Sequence, residues 1–69
     1  MYVELFDIEH GELLEFEGIE AMKNHLKVIR DKERNTEKKQ EIVDLFYTPD
    51  NVFVGNGMVV GNFFEVEVV

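Results

Sequence analysis

The chain contains neither cysteine nor serine. Without cysteine there is no disulfide and no thiolate metal site, so 69 residues must be held by packing alone or by pairing with a second copy. Without serine or cysteine the commonest nucleophiles are gone, leaving Thr36, Thr48, lysines and carboxylates, a poor set for hydrolysis. Long apolar runs are missing too. No segment approaches the roughly 20 residues of a membrane span, and Met1-Tyr2-Val3-Glu4-Leu5 lacks the positive start of a signal peptide. The expected compartment is therefore the cytoplasm. No Gly-Lys-Ser or Gly-Lys-Thr accompanies Gly55, Gly57 and Gly61, which read as turn glycines rather than a phosphate loop.

What is present is a core-forming complement: 45% of the chain is apolar, with ten valines and six phenylalanines, which argues against disorder. Residues 1–69 are expected to form a single α+β domain. A domain of this size buries only about 60% of the surface its unfolded chain exposes, so its stability margin is thin. The charge is unevenly spread. All seven basic residues lie within 23–39, where three acids reduce the net charge to +4; the remainder carries twelve acids and no base. With a net charge of −8, free nucleic acid is a poor ligand, because phosphate binding needs Lys and Arg. A protein that itself binds nucleic acid is a better one, since its basic groove would attract this surface.

Residues 2–8 and 12–17 read as a β-hairpin around His10-Gly11, with Gly11 supplying a positive φ. A two-residue loop would set Leu5 opposite Phe16 and Ile8 opposite Leu13. Val3, Leu5, Leu14 and Phe16 then share one face, and Tyr2, Glu4, Phe6, Ile8, Leu13, Glu15 and Glu17 share the other. A three-residue loop would reshuffle both faces. After Gly18, Ile19, Met22, Leu26 and Ile29 mark the buried stripe of a helix. Beside it run Lys23, Lys27, Arg30 and Arg34, a basic edge expected to face solvent. From Arg30 to Glu41 no side chain is apolar, so this segment is expected to contribute nothing to the core. Asn35-Thr36 would cap a second helix over 37–47 that ends at Thr48-Pro49; one long helix is the alternative. Val52-Phe53-Val54 then reads as a strand, Asn56-Gly57 as a hairpin turn, and Met58-Val59-Val60 as the returning strand. In the last run, Phe64, Val66 and Val68 alternate with Glu65 and Glu67. The predicted fold is an antiparallel sheet of four or five strands, in the order ββααββ, with one or two helices on one face.

Candidate chemistry is sparse. His10, among Asp7, Glu9 and Glu12, has metal-ligand neighbours, but alternate strand positions point to opposite faces, so it reads as a turn residue. His25 lies on a helix without a second histidine at i+4 and reads as a packing or solvent-edge residue. No catalytic residue, metal or cofactor is expected, and the chain does not read as an enzyme. The acidic-aromatic sheet face is the leading candidate for partner binding: Glu4, Glu15, Glu17, Glu65 and Glu67, with Tyr2, Phe6 and Phe63. Large apolar groups rimmed by charge mark interfaces. Glutamates at i and i+2 stand about 6.5–7 Å apart, close to the phosphate repeat of a nucleic-acid strand. The bland account is the polar side of a half-exposed sheet. The basic edge of Lys23, Lys27, Arg30 and Arg34 is the secondary candidate, with stems that cover the rim of the core as its bland account.

The run Val3-Glu4-Leu5-Phe6-Asp7-Ile8-Glu9-His10-Gly11-Glu12, followed by Glu15-Phe16-Glu17-Gly18-Ile19-Glu20-Ala21-Met22-Lys23-Asn24-His25-Leu26, resembles small phage-encoded accessory proteins, including anti-CRISPR proteins. The likeness covers about the first 29 residues and is one of hairpin-then-helix style. It implies a viral, protein-binding inhibitor acting in the host cytoplasm, one that blocks a nucleic-acid-binding defence protein such as a CRISPR nuclease complex, with the acidic face as a DNA mimic. These proteins share no motif, so no residue role is carried over. The alternative is a homodimeric regulatory or structural protein whose acidic face is only solvated sheet, with the C-terminal Val68-Val69 strand able to pair edge to edge.

Overall fold

A computed structural model describes all 69 residues. Two hairpins, β1 (Val3–Asp7) with β2 (Glu12–Phe16) and β3 (Met58–Val60) with β4 (Phe64–Val68), are separated in sequence by three helices, α1 (Ile19–Lys32), α2 (Thr36–Tyr47) and α3 (Asp50–Asn56). Pairing of β1 with β4 joins the hairpins into one antiparallel four-stranded sheet of order β2-β1-β4-β3. Period-two alternation puts Val3, Leu5, Phe64 and Val66 on the inner face. There they meet Ile19, Met22 and Leu26 of α1, Ile42 and Leu45 of α2, and Phe53 of α3. The strands thus bury one face only.

The β1–β2 register corrects the two-residue loop: Leu5 pairs with Leu14 and Phe6 with Leu13, leaving Ile8 to Gly11 as a four-residue connection. The slip is two residues, an even number, so every side chain keeps its expected face. Asp7 drives the longer loop, because its carboxylate accepts the His10 backbone N–H at 3.2 Å and the imidazole Nδ1 lies 2.9 Å away. That local turn competes with the last ladder rung.

The helical region separates into two helices at Asn35, whose side-chain oxygen accepts from the N–H groups of Glu37 and Lys38 at 3.0 and 3.2 Å. The third helix was not expected. Val52-Phe53-Val54, read as a strand, lies in α3, and Asn56-Gly57 ends that helix instead of turning a hairpin. Gly57 has a φ of 73° at the helix end, and its N–H donates to the Phe53 carbonyl at 2.9 Å. The left-handed glycine that suits a tight hairpin also suits a helix C-terminus, so Asn56-Gly57 is compatible with either. The C-terminal strand is corrected as well: β4 lies between β1 and β3, so edge pairing belongs to β2 and β3.

The polar stretch 30–41 does contribute to the core. Lys38 is only 2% exposed, as buried as the apolar residues around it. Its ammonium lies 2.8 Å from Glu9 and 3.1 and 3.3 Å from the two Asp7 oxygens, and 5.2 Å from the Phe64 ring centroid. One turn on, Glu41 accepts the backbone N–H groups of Asn62, Phe63 and Phe64, each at 2.8 Å. At i and i+3, these two side chains share a helix face and hold the two hairpin loops at one end of the sheet. A Cβ on Gly61 would fall 2.5–2.8 Å from the Glu41 carboxylate. Gly61→Ala is therefore expected to cost about 1–3 kcal/mol, the size of a buried hydrogen-bonding group left unsatisfied. Urea unfolding of Gly61→Ala, Glu41→Ala and the double variant should show strong non-additivity; simple additivity would refute the coupling.

Candidate functional site

The helices cover one face of the sheet and leave the other open. Reading across the strands, Glu15 of β2 pairs with Glu4 of β1, Glu4 with Glu67 of β4, and Glu67 with Met58 of β3. The adjoining row runs Leu13, Phe6, Glu65, Val60. Three glutamates are thus direct cross-strand neighbours, with Cβ atoms about 4.5–5.5 Å apart. Leu13, Met58 and Val60 are exposed beside them, and Phe6 is half-buried. A shallow depression of about 280 Å3 is lined by Glu4, Phe6, Leu13, Met58, Glu65 and Glu67.

No cation neutralises this face. The seven ion pairs of the protein join His10, Lys23, Arg30 and Lys38 to Asp7, Glu9, Glu33, Asp31 and Asp50, and none reaches Glu4, Glu15, Glu65 or Glu67. Like charges directly opposite each other destabilise a sheet. Glu4, central in the row, has such a neighbour on both sides. Glu4→Gln is expected to raise stability by about 0.2–1 kcal/mol for each repulsion removed. Denaturant midpoints should show the gain at low salt and less of it at high salt; an unchanged midpoint at low salt would contradict the repulsion.

Most expected members of the face fall in place. Glu4, Glu15, Glu65, Glu67 and Phe6 share it through the strand register. Tyr2, just before β1, and Glu17, just after β2, are exposed at its border. Phe63 lies apart: from the loop before β4 it packs against the core, beside Glu41 and Asp44 of α2. Sequence reasoning missed Met58 and Val60, for want of a β3 register.

The basic edge is used inside the molecule at one position, Lys23, while Lys27 and Arg34 are exposed. Lys23 donates to the Thr48 carbonyl at 2.6 Å and to Asp50 at 3.0 Å, and lies 5.8 Å from the Phe53 ring, fastening α1 to the start of α3. Lys27 lies over the Phe46 ring at 5.7 Å, and Arg30 pairs with its neighbour Asp31 at 3.4 Å. This corrects the picture of a solvent-facing stripe at Lys23, whose side chain is 18% exposed. Arg34 is exposed at the end of the edge.

A second concavity, of about 290 Å3, opens on the helix side, where Asp7, His10, His25, Glu33 and Lys38 border an apolar floor of Leu5, Leu14, Ile29 and Phe64. Its buried groups answer one another, and no buried side-chain nitrogen or oxygen lacks a partner. Ligand atoms of Asp7, Glu9 and His10 come within 4.8 Å of one another, as in a metal site, but the Lys38 ammonium already lies between the two carboxylates. His25 packs against Phe16, with ring centroids 5.4 Å apart.

Burial raises the Asp7 pKa, but hydrogen bonds from His10 and Lys38 outweigh it and hold the carboxyl below its ordinary value. The hydrogen bond to Asp7, then the Asp7 charge, raise the pKa of His10, against the opposing charge of Lys38. A raised histidine stabilises the fold fully below the unfolded imidazole pKa of about 6.5, and that contribution is lost as pH rises through the higher folded value. The His10 ring proton in NMR is expected to titrate above about 6.5 and to move down in Asp7→Asn. A titration unchanged by that substitution would contradict the pairing.

No protein-family model, curated protein or solved structure matches the chain.

Proposed function

We propose that this chain is a non-enzymatic binding module that docks its open sheet face on a basic, partly apolar site of another protein. The partner is a nucleic-acid-binding protein, and the carboxylates take positions its phosphate ligand would take. One observation carries the reading: the row Glu15, Glu4, Glu67 places three carboxylates side by side with no cation, on a face that also leaves Leu13, Met58 and Val60 exposed. In the free protein this arrangement costs stability. A surface rich in Lys and Arg would offset the repulsion while covering the apolar groups. Occupying such a site excludes nucleic acid, so the module acts as an inhibitor, the role implied by its likeness to anti-CRISPR proteins.

The homodimer remains the second reading, and the unpaired outer edge of β2 is the feature that admits it. Face-to-face pairing of two copies would oppose glutamate rows with no base between them.

The test begins with capture from a host lysate at low and at moderate salt, followed by displacement of a labelled oligonucleotide from each captured protein. The native chain should displace it, and a chain with Glu4, Glu15, Glu65 and Glu67 replaced by Gln should not. Captured proteins that retain the oligonucleotide would refute the mimicry. A folded dimer in solution that persists through the same substitutions, with nothing else captured, would favour the homodimer.

A further inference from the structure

We infer that the depression on the open face is an arginine pocket: the partner inserts an arginine side chain whose guanidinium lies on Phe6 and is held by Glu4, Glu65 and Glu67. This deepens, and rests on, the docking role proposed above by naming the group that anchors it.

The depression, about 280 Å3, has Phe6, Leu13 and Met58 as its apolar part and Glu4, Glu65 and Glu67 as its charged part. Register fixes their arrangement. Glu4 lies directly opposite Glu67, Phe6 directly opposite Glu65, and Leu13 on the far side of Phe6. The three carboxylates therefore surround the aromatic ring on two sides, about 5 Å apart across strands and about 7 Å apart along β4. They are free to accept, since none takes part in an ion pair. Glu4, Phe6, Glu65 and Glu67 are half-buried, so a guest among them would lose part of its contact with water.

An occupant must then be cationic, must offer donors in more than one direction, and must tolerate an apolar floor. A lysine meets the first two demands but the third only in part, because its strongly hydrated ammonium gains little from lying on an apolar ring. A guanidinium is planar, weakly hydrated and carries five donors in a fixed fork, so it stacks on the ring while bonding carboxylates at its rim. Its stem would lie on Leu13, beside Phe6 on the neighbouring strand. A second copy of the chain docked face to face does not suit the pocket, since it would bring glutamate against glutamate. Anionic lipid and nucleic acid are repelled for the same reason.

The test compares two peptides of equal charge, Ac-(Arg-Gly)4-NH2 and Ac-(Lys-Gly)4-NH2, titrated into the full chain at low salt and followed by NMR. The arginine peptide is expected to bind about five- to tenfold more tightly, with the largest shifts at the Phe6 ring and at the Glu65 and Glu67 amides. Phe6→Leu, at a half-buried position, should fold and abolish that preference while leaving lysine-peptide affinity nearly unchanged. Glu65→Gln should weaken both peptides. Equal affinity for the two would overturn the arginine pocket and leave the acidic docking face standing. Binding of neither peptide, or binding indifferent to Glu4→Gln, Glu65→Gln and Glu67→Gln together, would overturn both.

Discussion

Lys38→Met is expected to lower stability by about 2–3 kcal/mol. Removing one partner of a fully buried ion pair costs about 3–5 kcal/mol, because the other charge is left without compensation. Here the carboxylates are less enclosed than the lysine: Asp7 is 21% and Glu9 48% exposed at the side chain, against 2% for Lys38, so water would recover part of the loss. In a domain this small the deficit corresponds to a melting temperature lower by about 10–20 °C. Methionine keeps an apolar stem beside Phe64, so the loss reports charge rather than a cavity. Glu9→Gln added to Lys38→Met should restore part of the stability, since Glu9 loses its hydrogen-bond partner with Lys38 whereas Asp7 keeps His10. A Lys38→Met chain as stable as the native one would refute the clamp.

The same cluster makes the stability of the fold depend on pH at both ends of the scale. Burial opposes the Lys38 charge, but hydrogen bonds and attraction from Glu9 and Asp7 win, raising its pKa. The stabilisation from a raised lysine is complete below its unfolded pKa of about 10.4 and is lost as pH rises through the folded value. The depressed Asp7 works in the opposite sense. Its contribution is present above about 3.9 and is lost as pH falls through the lower folded value. In Lys38→Met the acid limb of a pH–stability curve should move to higher pH.

Phe53→Ala is expected to cost about 3–5 kcal/mol, the range for deleting a buried aromatic ring. Phe53 is 1% exposed and is the one buried residue of α3, a helix of seven residues. A helix that short has little stability of its own and depends on this anchor. Total stability for a chain of this length is about 3–10 kcal/mol, so the variant should be largely unfolded or have α3 detached. Lys23, over the ring and bonded to Asp50 and Thr48, should lose its fixed position at the same time. Circular dichroism and amide NMR would show the change, and Phe53→Leu should recover most of the structure. Native-like stability in Phe53→Ala would mean that residues 50–56 are not docked through that ring.

How much of this was legible in sequence follows from which interactions are local. The stripe Ile19, Met22, Leu26 and the alternation Phe64, Val66 repeat with the period of their elements, so helix, strand and buried face could be read directly. Asn35 announced the break between α1 and α2 because a cap acts within three residues. The acidic face was legible for the same reason, and it survived the wrong loop length because a slip of two residues preserves parity. Val52-Phe53-Val54 was misleading: β-branched residues fit a strand, but burying the Phe53 ring in the core through a short helix overrides so small a preference.

What tertiary structure alone decided is the company each charge keeps. The sequence established an α+β chain, a sheet with one apolar and one acidic face, and a basic segment between its hairpins. It did not indicate that Lys38 would be buried against residues about 30 positions away while Glu4, Glu65 and Glu67 would stand without a cation. Charge attraction acts through space and has no period along the chain, so a lysine destined for the interior reads like one destined for solvent. Only the β1–β4 pairing, which brings the two hairpin loops under α2, determines which carboxylates are neutralised and which are left without a cation.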